Sequence, residues 1–284
     1  MMDAQRFYDM SGKFSRGLTV VDGSLGVFRA NPRLAVLPLC SLLLVGTGFA
    51  LVAGVALHYG LVASIFTNDL YEYAAVFVGM ALTTSLGTFF NAAVAHCAFR
   101  YFDGEDPTVE DGLRAAWRAR RAIALWTVTS ATLGTVLYIV DDKLGFIGSL
   151  ARFFFDLGWG LLTFFVVPII VVEDTADVRT IVRESGRTFK ETWGESVTAS
   201  LSISVAVLPA VLVGGGLLAT AYLGLHGPLA LVVGGLGLLL VVAAIVTSQV
   251  LGVVARTALY EYATEGRRVG PFAERDPADV FPES

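Results

Sequence analysis

The sequence predicts an all-α membrane protein, a polytopic bundle of six transmembrane helices with amphipathic helices at the cytoplasmic membrane interface. Three observations support this fold class. Hydrophobic residues make up 55% of the 284 residues and charged residues 16%, which is typical of a polytopic membrane protein. Six stretches have the roughly 20 apolar residues that a helix needs to cross a bilayer. Lysines and arginines are concentrated in alternate connections between these stretches.

The six predicted spans divide the chain into three parts. The first span begins too late, and runs too long, to be the hydrophobic core of a signal peptide, so no cleaved targeting segment is predicted. Residues 1–33 are predicted as a cytoplasmic amphipathic helix, 34–265 as the six-span domain and 266–284 as a disordered cytoplasmic tail. The predicted spans are residues 34–57, 73–99, 122–140, 150–172, 197–223 and 229–255.

The orientation follows from the positions of the lysines and arginines. Eighteen of the 20 lie in the N-terminal segment, the connections between spans 2 and 3 and between spans 4 and 5, and the C-terminal region. Lys143 and Arg152 are the two on the opposite side. Cytoplasmic connections are enriched in these residues. The sequence therefore predicts a multi-pass protein of the cell membrane with both termini in the cytoplasm.

The connection between spans 4 and 5 predicts an interfacial helix over residues 177–193. Its apolar side chains recur at helical spacing, while three arginines at i, i+4 and i+8 form a second face. Such a helix lies flat at the level of the lipid headgroups. One face carries Val178, Ile181, Val182, Ser185 and Phe189, and the basic face carries Arg179, Arg183 and Arg187.

Two further segments show a similar pattern. Residues 14–28 carry apolar side chains at helical spacing, with Gly23 as a point of interruption, and Thr108 is predicted to cap a helix that continues through Trp117. Each of the three helices precedes a hairpin of spans and ends with an aromatic–basic pair: Phe28-Arg29, Trp117-Arg118 and Phe189-Lys190. Three helix-plus-hairpin repeats are one interpretation. Chance similarity between segments of biased composition is the other.

Several short motifs lie along the chain: Asn31-Pro32-Arg33-Leu34 leading to Leu37-Pro38, Phe165-x-x-Pro168-x-x-x-x-Glu173, Ser185, Phe189-Lys190 and Trp193. Together they resemble those of a group of uncharacterised six-span membrane proteins. The segment from Phe165 also resembles the membrane domain that precedes some bacterial glycerophosphodiester phosphodiesterases. In those enzymes a separate soluble barrel carries the chemistry, so the resemblance implies a membrane module and transfers no catalytic residue.

The sequence contains no pattern that predicts catalysis or cofactor binding. The three histidines, His58, His96 and His226, do not share a metal-ligand spacing. Cys40 and Cys97 are expected to be reduced packing residues within spans. Acidic residues accompany the basic ones in the inner connections, which argues against nucleic-acid binding. We therefore predict a protein that is not an enzyme and that uses no cofactor or metal.

Three polar positions inside the spans are the candidate site residues. Arg152 and Asp156 stand at i, i+4 in span 4, near its predicted outer end, where they can form a structural ion pair or serve an ion or solute pathway. Asn91 lies with Thr84 and Thr88 on one face of span 2. Such a polar stripe favours packing against another helix, with a solute pathway as the alternative.

Three functions are compatible with these features. The first is a non-catalytic membrane scaffold or assembly module, which embeds in the lipid bilayer and binds a membrane-protein partner or a second copy of the chain. The second is a small-solute transporter or channel, in which broken helices are common. Pro209 and the glycine triplet that begins at Gly214 are the features that point to a kink or to close helix packing. The third is a membrane-embedded protein of lipid metabolism.

Overall fold

The computed structural model describes residues 22–173 and 175–266, with the backbone alone at 193–195. Within these ranges all regular secondary structure is helical. Residues 22–30 form a helical segment, and Pro32–Ala35 a 3-10 turn. The helices that follow are α1 (Val36–His58), α2 (Val62–Thr67), α3 (Asp69–Phe102), α4 (Val109–Arg118), α5 (Arg120–Leu144), α6 (Phe146–Leu162), α7 (Val166–Val172), α8 (Val178–Glu191), α9 (Trp193–Gly224) and α10 (Pro228–Glu265).

Six helical stretches are long and apolar enough to cross a membrane, so the predicted all-α, six-span fold class is confirmed. They are Pro32–His58, Asp69–Phe102, Arg120–Leu144, Phe146–Val172, Ser196–Gly224 and Pro228–Glu265. Large apolar side chains on them are widely exposed, such as Leu43 at 68% and Leu239 at 66%. In a protein surrounded by lipid these side chains contact acyl chains, so their exposure fits a multi-pass membrane protein.

Several helices run beyond the predicted spans, because backbone hydrogen bonding does not stop where apolar residues end. The last helix, α10, continues ten residues past the predicted end at 255 and stops at Gly266. Gly266 adopts φ 63°, a left-handed conformation that favours glycine, and its N–H donates to the Tyr262 carbonyl. Asp141, Asp142 and Lys143, predicted as a connection, form the last turn of α5. The short helix α2, in the connection between the first two spans, was not predicted.

The fourth span is broken, which the sequence analysis did not predict. Helix α6 ends at Leu162 and α7 begins at Val166. Pro168 explains the break, because a proline inside a helix removes one N–H and collides with the carbonyl four residues earlier, here that of Phe164. Pro168 is the third residue of α7, where a backbone N–H has no partner within the helix. The missing N–H of proline therefore costs no hydrogen bond inside α7.

At the glycine triplet, the structure shows close packing at Gly214. Helix α9 continues through Pro209. A Cβ atom on Gly214 would lie 2.8 Å from the Gly237 carbonyl oxygen of α10, and one on Gly237 would lie 2.7 Å from the Gly214 carbonyl oxygen. Real side chains do not tolerate such distances to a backbone. Of the two expectations for the triplet, close approach by a neighbouring helix is the one observed.

The described residues form two compact units. Unit 1 comprises residues 22–35, 98–106 and 192–266, and unit 2 comprises 36–97, 107–173 and 175–191. In unit 1, α9 packs along α10, and the turn Pro32–Ala35 also contacts α10. In unit 2, α5 packs on α6, and α8 contacts α5, α6 and α7. The candidate site residues all belong to unit 2.

The N-terminal prediction is tested only in part. Residues 1–21 and the tail from 267 onward lie outside the described residues. Residues 22–30 are helical and include Gly23. Because the residues before 22 lie outside the described range, the interruption expected at Gly23 stays a prediction. Ser24 and Val27 are fully buried in this segment. The helix is therefore packed along one side in the part that is described.

Helix α4 packs against α3 through small residues. Thr108 caps it with a complete capping box, in which Asp111 reciprocates, as the predicted N-cap requires. A Cβ atom on Gly112 would lie 2.6 Å from the Ala93 carbonyl oxygen and 2.8 Å from Cys97 Sγ. Only a helix face without bulky side chains permits this close approach.

Candidate functional site

A buried hydrogen bond joins the break in the fourth span to the surface helix α8. The backbone N–H of Phe165, freed by the break, donates to the hydroxyl of Ser185 at 3.0 Å. Both residues are fully buried. A buried N–H must find a partner, and the serine of α8 supplies one. The hydroxyl thus acts as a cap from another helix.

Aromatic packing reinforces this junction. The rings of Phe164 and Phe189 meet edge to face with centroids 5.6 Å apart, and Phe165 packs beside Phe164 at 4.9 Å. Ile181 of α8 is also fully buried. One junction therefore gives a packing role to several residues of the motifs quoted for the resemblance: Phe165, Pro168, Ser185 and Phe189.

The opposite face of α8 is charged and exposed. Arg179, Arg183, Arg187 and Lys190 are all exposed, and Glu184 pairs with Arg187 at 2.6 Å. Asp177 begins the helix by accepting the N–H groups of Arg179 and Thr180. The Thr180 hydroxyl donates to the same carboxylate, and this bond is the main reason that the pKa of Asp177 is lowered. Ile181, Ser185 and Phe189 of α8 are buried and its four basic side chains are exposed, whereas an amphipathic helix at a membrane interface remains a prediction.

A network of tyrosines and charged side chains lies where α3 begins and α5 ends, the end predicted to face outward. Lys143 contacts Asp69 at 2.6 Å and Asp142 at 3.3 Å. The Tyr73 hydroxyl donates to Asp142 at 2.9 Å. We call this group, with Glu72 and Tyr138 described next, the tyrosine–carboxylate network. It ties the two helices together through side chains separated by about 70 residues in sequence.

Glu72 and Tyr138 connect the network to a lateral cleft. The Tyr138 hydroxyl donates to the Glu72 carboxylate at 2.6 Å. Both residues line a cleft of about 820 Å³ between α1, α2, α3 and α5. Its remaining walls are largely apolar, with Phe49, Val76 and Met80 among them. The arrangement places one carboxylate at the end of a largely apolar cleft.

Two of the predicted site residues, Arg152 and Asp156, lie together. Arg152 Nε is 3.5 Å from Asp156 Oδ2, and Arg152 also donates to Asp141 at 3.1 Å. Asp141 in addition accepts the Ser149 hydroxyl. The Asp156 side chain is 57% exposed, against 28% for Asp141. The more enclosed partner, Asp141, was missed because it was assigned to a connection.

Asn91, the third predicted residue, lies apart from this group. It is half-buried on α3, nineteen residues beyond Glu72 and so about 28 Å along the helix axis. Thr88, on the same stripe, is buried at 7% exposure. The structure therefore does not bring Asn91 together with Arg152 and Asp156. The network residues Asp69, Glu72, Tyr73 and Tyr138 were not singled out, although acids and tyrosines flank both apolar stretches in the sequence.

Within the described ranges, no group of three or more histidine, cysteine, aspartate or glutamate side chains is placed to hold a metal ion. A model for a family of unknown function, DUF6159, matches residues 70–270, from the start of α3 to the end of α10. The chain belongs to the DUF6159 family. No curated protein and no solved structure matches it. In this DUF6159 protein the matched segment contains the broken fourth span, the Phe165–Ser185 junction and most of the network.

Proposed function

We propose that this DUF6159 protein is a non-catalytic membrane scaffold, whose helix α8 presents a charged surface to a partner protein in the membrane. The observation that supports the proposal is the way α8 is held. Its buried side is anchored by Ile181, Ser185 and Phe189, while its four basic residues remain exposed. Charged surfaces on a rigid support favour recognition of a complementary partner.

The anchoring distinguishes α8 from a loose connection. The Phe165–Ser185 hydrogen bond and the Phe164–Phe189 ring contact fix the helix to the membrane-spanning part of unit 2. A preorganised surface loses little conformational entropy when it binds. The same four cations also suit anionic lipid headgroups at the membrane surface, so the test must separate a protein partner from lipid.

Photo-crosslinking in native membranes provides that test. A photoreactive residue at Arg183 is expected to yield one discrete protein adduct, and the double variant Arg179→Glu/Arg187→Glu should abolish it. The matched control is Leu43, an exposed apolar position on α1, which should crosslink lipid. If position 183 crosslinks lipid alone, as Leu43 does, the scaffold proposal is wrong.

A small-solute transporter is the second candidate, and the broken fourth span is the observation that favours it. Transporters often use discontinuous helices to build substrate sites. Here the break is enclosed, since Phe165 and Ser185 are fully buried and satisfy each other. We therefore rank this function second. Uptake of small solutes into liposomes that contain the purified protein would rank the transporter above the scaffold.

We place the protein in the cell membrane with both termini in the cytoplasm, on the basis of the positions of its cations. We propose that it is not an enzyme and works without a cofactor or metal, with the lipid bilayer and a membrane protein or a second copy of the chain as partners. The similarity of the segment from Phe165 to a phosphodiesterase membrane domain stays a prediction.

A further inference from the structure

We propose that the lateral cleft of unit 2 binds a membrane lipid whose headgroup carries an ammonium group. The cleft opens between α1, α2, α3 and α5 and has a volume of about 820 Å³. Apolar side chains such as Phe49, Ile65 and Met80 line it. The apolar part of such a cleft inside a bilayer is filled by acyl chains, because water there would lack hydrogen-bond partners.

The depth of the cleft matches one leaflet. Along α3 its lining extends from Glu72 to Thr84, and twelve residues of helix span about 18 Å. Half of the roughly 30 Å hydrocarbon core is about 15 Å. Thr83 donates its hydroxyl to the Gly79 carbonyl of its own helix, so this polar group is already hydrogen-bonded. The cleft therefore offers an acyl chain a path from the headgroup level to the midplane.

The charge at the headgroup end selects the lipid. Two cations, Lys143 and Arg152, lie among five carboxylates: Asp69, Glu72, Asp141, Asp142 and Asp156. Each cation already contacts two of these carboxylates. Among the described residues, Glu72 makes a hydrogen bond with Tyr138 and no ion pair. An ammonium headgroup complements this excess of negative charge, whereas an anionic headgroup would be repelled.

Gly79 keeps the cleft open next to Phe49. A Cβ atom on Gly79 would lie 3.2 Å from the Phe49 ring, so a larger side chain there must enter the space beside that ring. Gly87, two turns further along the same helix, has no atom within 4 Å of its Cβ position. Gly79→Leu therefore fills the cleft. Gly87→Leu is its control, because it adds the same side chain to α3 outside the cleft.

Native mass spectrometry of the full chain from nanodiscs tests the proposal. The nanodiscs contain equal amounts of phosphatidylethanolamine and phosphatidylglycerol with identical acyl chains. The protein is expected to retain the ethanolamine lipid preferentially, by about fivefold, the effect of one partly exposed ion pair. Gly79→Leu should reduce retention of both lipids, and Gly87→Leu should leave it unchanged. Equal retention of the two lipids by the wild-type protein would overturn the proposal.

Two network variants assign the selectivity to charge. Glu72→Gln keeps a hydrogen-bond acceptor for Tyr138 but removes the charge, and should abolish the preference for the ethanolamine lipid. Tyr138→Phe removes the hydrogen bond but leaves the carboxylate, and should retain the preference. If Glu72→Gln retains it, or Tyr138→Phe abolishes it while the protein stays folded, recognition of the ammonium group by Glu72 is wrong.

Discussion

The hydroxyl of Ser185 accepts the backbone N–H of Phe165 at 3.0 Å, across twenty residues of sequence. This bond resolves a local conflict. Pro168 prevents the fourth span from continuing as one helix, and the break frees an N–H in a fully buried position. A side chain from α8 satisfies it. The break in the span and the docking of the surface helix are thus one structural feature.

Ser185→Ala is expected to destabilise the protein by about 1–3 kcal/mol, because it leaves the buried N–H of Phe165 without an acceptor. The measurement is the free energy of unfolding in mixed detergent micelles. Ser204→Ala is the control, since Ser204 is exposed and its hydroxyl donates to Ser200 of its own helix. Equal stability of the two variants would show that Phe165 does not depend on the serine.

Gly112→Ala is expected to destabilise the protein by about 1–3 kcal/mol, the usual cost of overpacking. The added methyl group would lie 2.6 Å from the Ala93 carbonyl oxygen, so α4 must move away from α3. Gly46→Ala is the control, because nothing lies within 4 Å of that position. It should be neutral or stabilising by up to about 1 kcal/mol, from helix propensity alone. Unfolding measurements that give both variants the same sign would contradict the packing of α4.

The first turn of α8 should respond to acid through Asp177. Its pKa is lowered in the folded protein, mainly by the Thr180 hydroxyl. The stabilisation is therefore complete above the unfolded value of about 3.9 and is lost as the pH falls through the lower folded value. We expect the stability difference between wild type and Asp177→Asn to be constant above about pH 5 and to shrink below about pH 4. If the stability difference between wild type and Asp177→Asn instead grows as the pH falls, Asp177 does not stabilise α8 in this way.

Arg152 and Asp156 are expected to form a structural pair that tolerates loss of the acid. Asp156→Leu should fold and retain stability within about 0.5 kcal/mol, because Arg152 keeps Asp141 as a partner. Asp141→Leu should cost more, about 1–3 kcal/mol, since it deprives both Arg152 and Ser149 of an acceptor. The measurements are unfolding free energy and solute flux in liposomes. A folded Asp156→Leu protein that loses a wild-type flux would make Asp156 a pathway residue instead.

The membrane orientation can be tested by labelling single cysteines from outside the cell, in a background with Cys40 and Cys97 replaced by alanine. Cysteines at Asn68 and Leu144 are expected to react, and those at Gly104 and Glu265 are not. All four positions are exposed in the structure, so burial cannot account for a missing label. Reaction at Gly104 from outside would reverse the proposed orientation.

Sequence alone determined the fold class, because a membrane span is encoded by local composition. A run of about 20 apolar residues has few alternatives to a crossing helix. The same holds for the start of α4, where Thr108 and Asp111 form a cap within four residues. Helical spacing also indicated which side of α8 is buried, at Ile181, Ser185 and Phe189.

Tertiary structure decided which polar side chains meet. The Phe165–Ser185 bond depends on how α8 docks, and the contact between Lys143 and Asp69 joins residues 74 positions apart. Arg152 and Asp156, one helical turn apart, could be paired from sequence, whereas Asp141 enters only because α5 packs on α6. Local periodicity carries no information about such distant pairs, because they follow from the packing of whole helices.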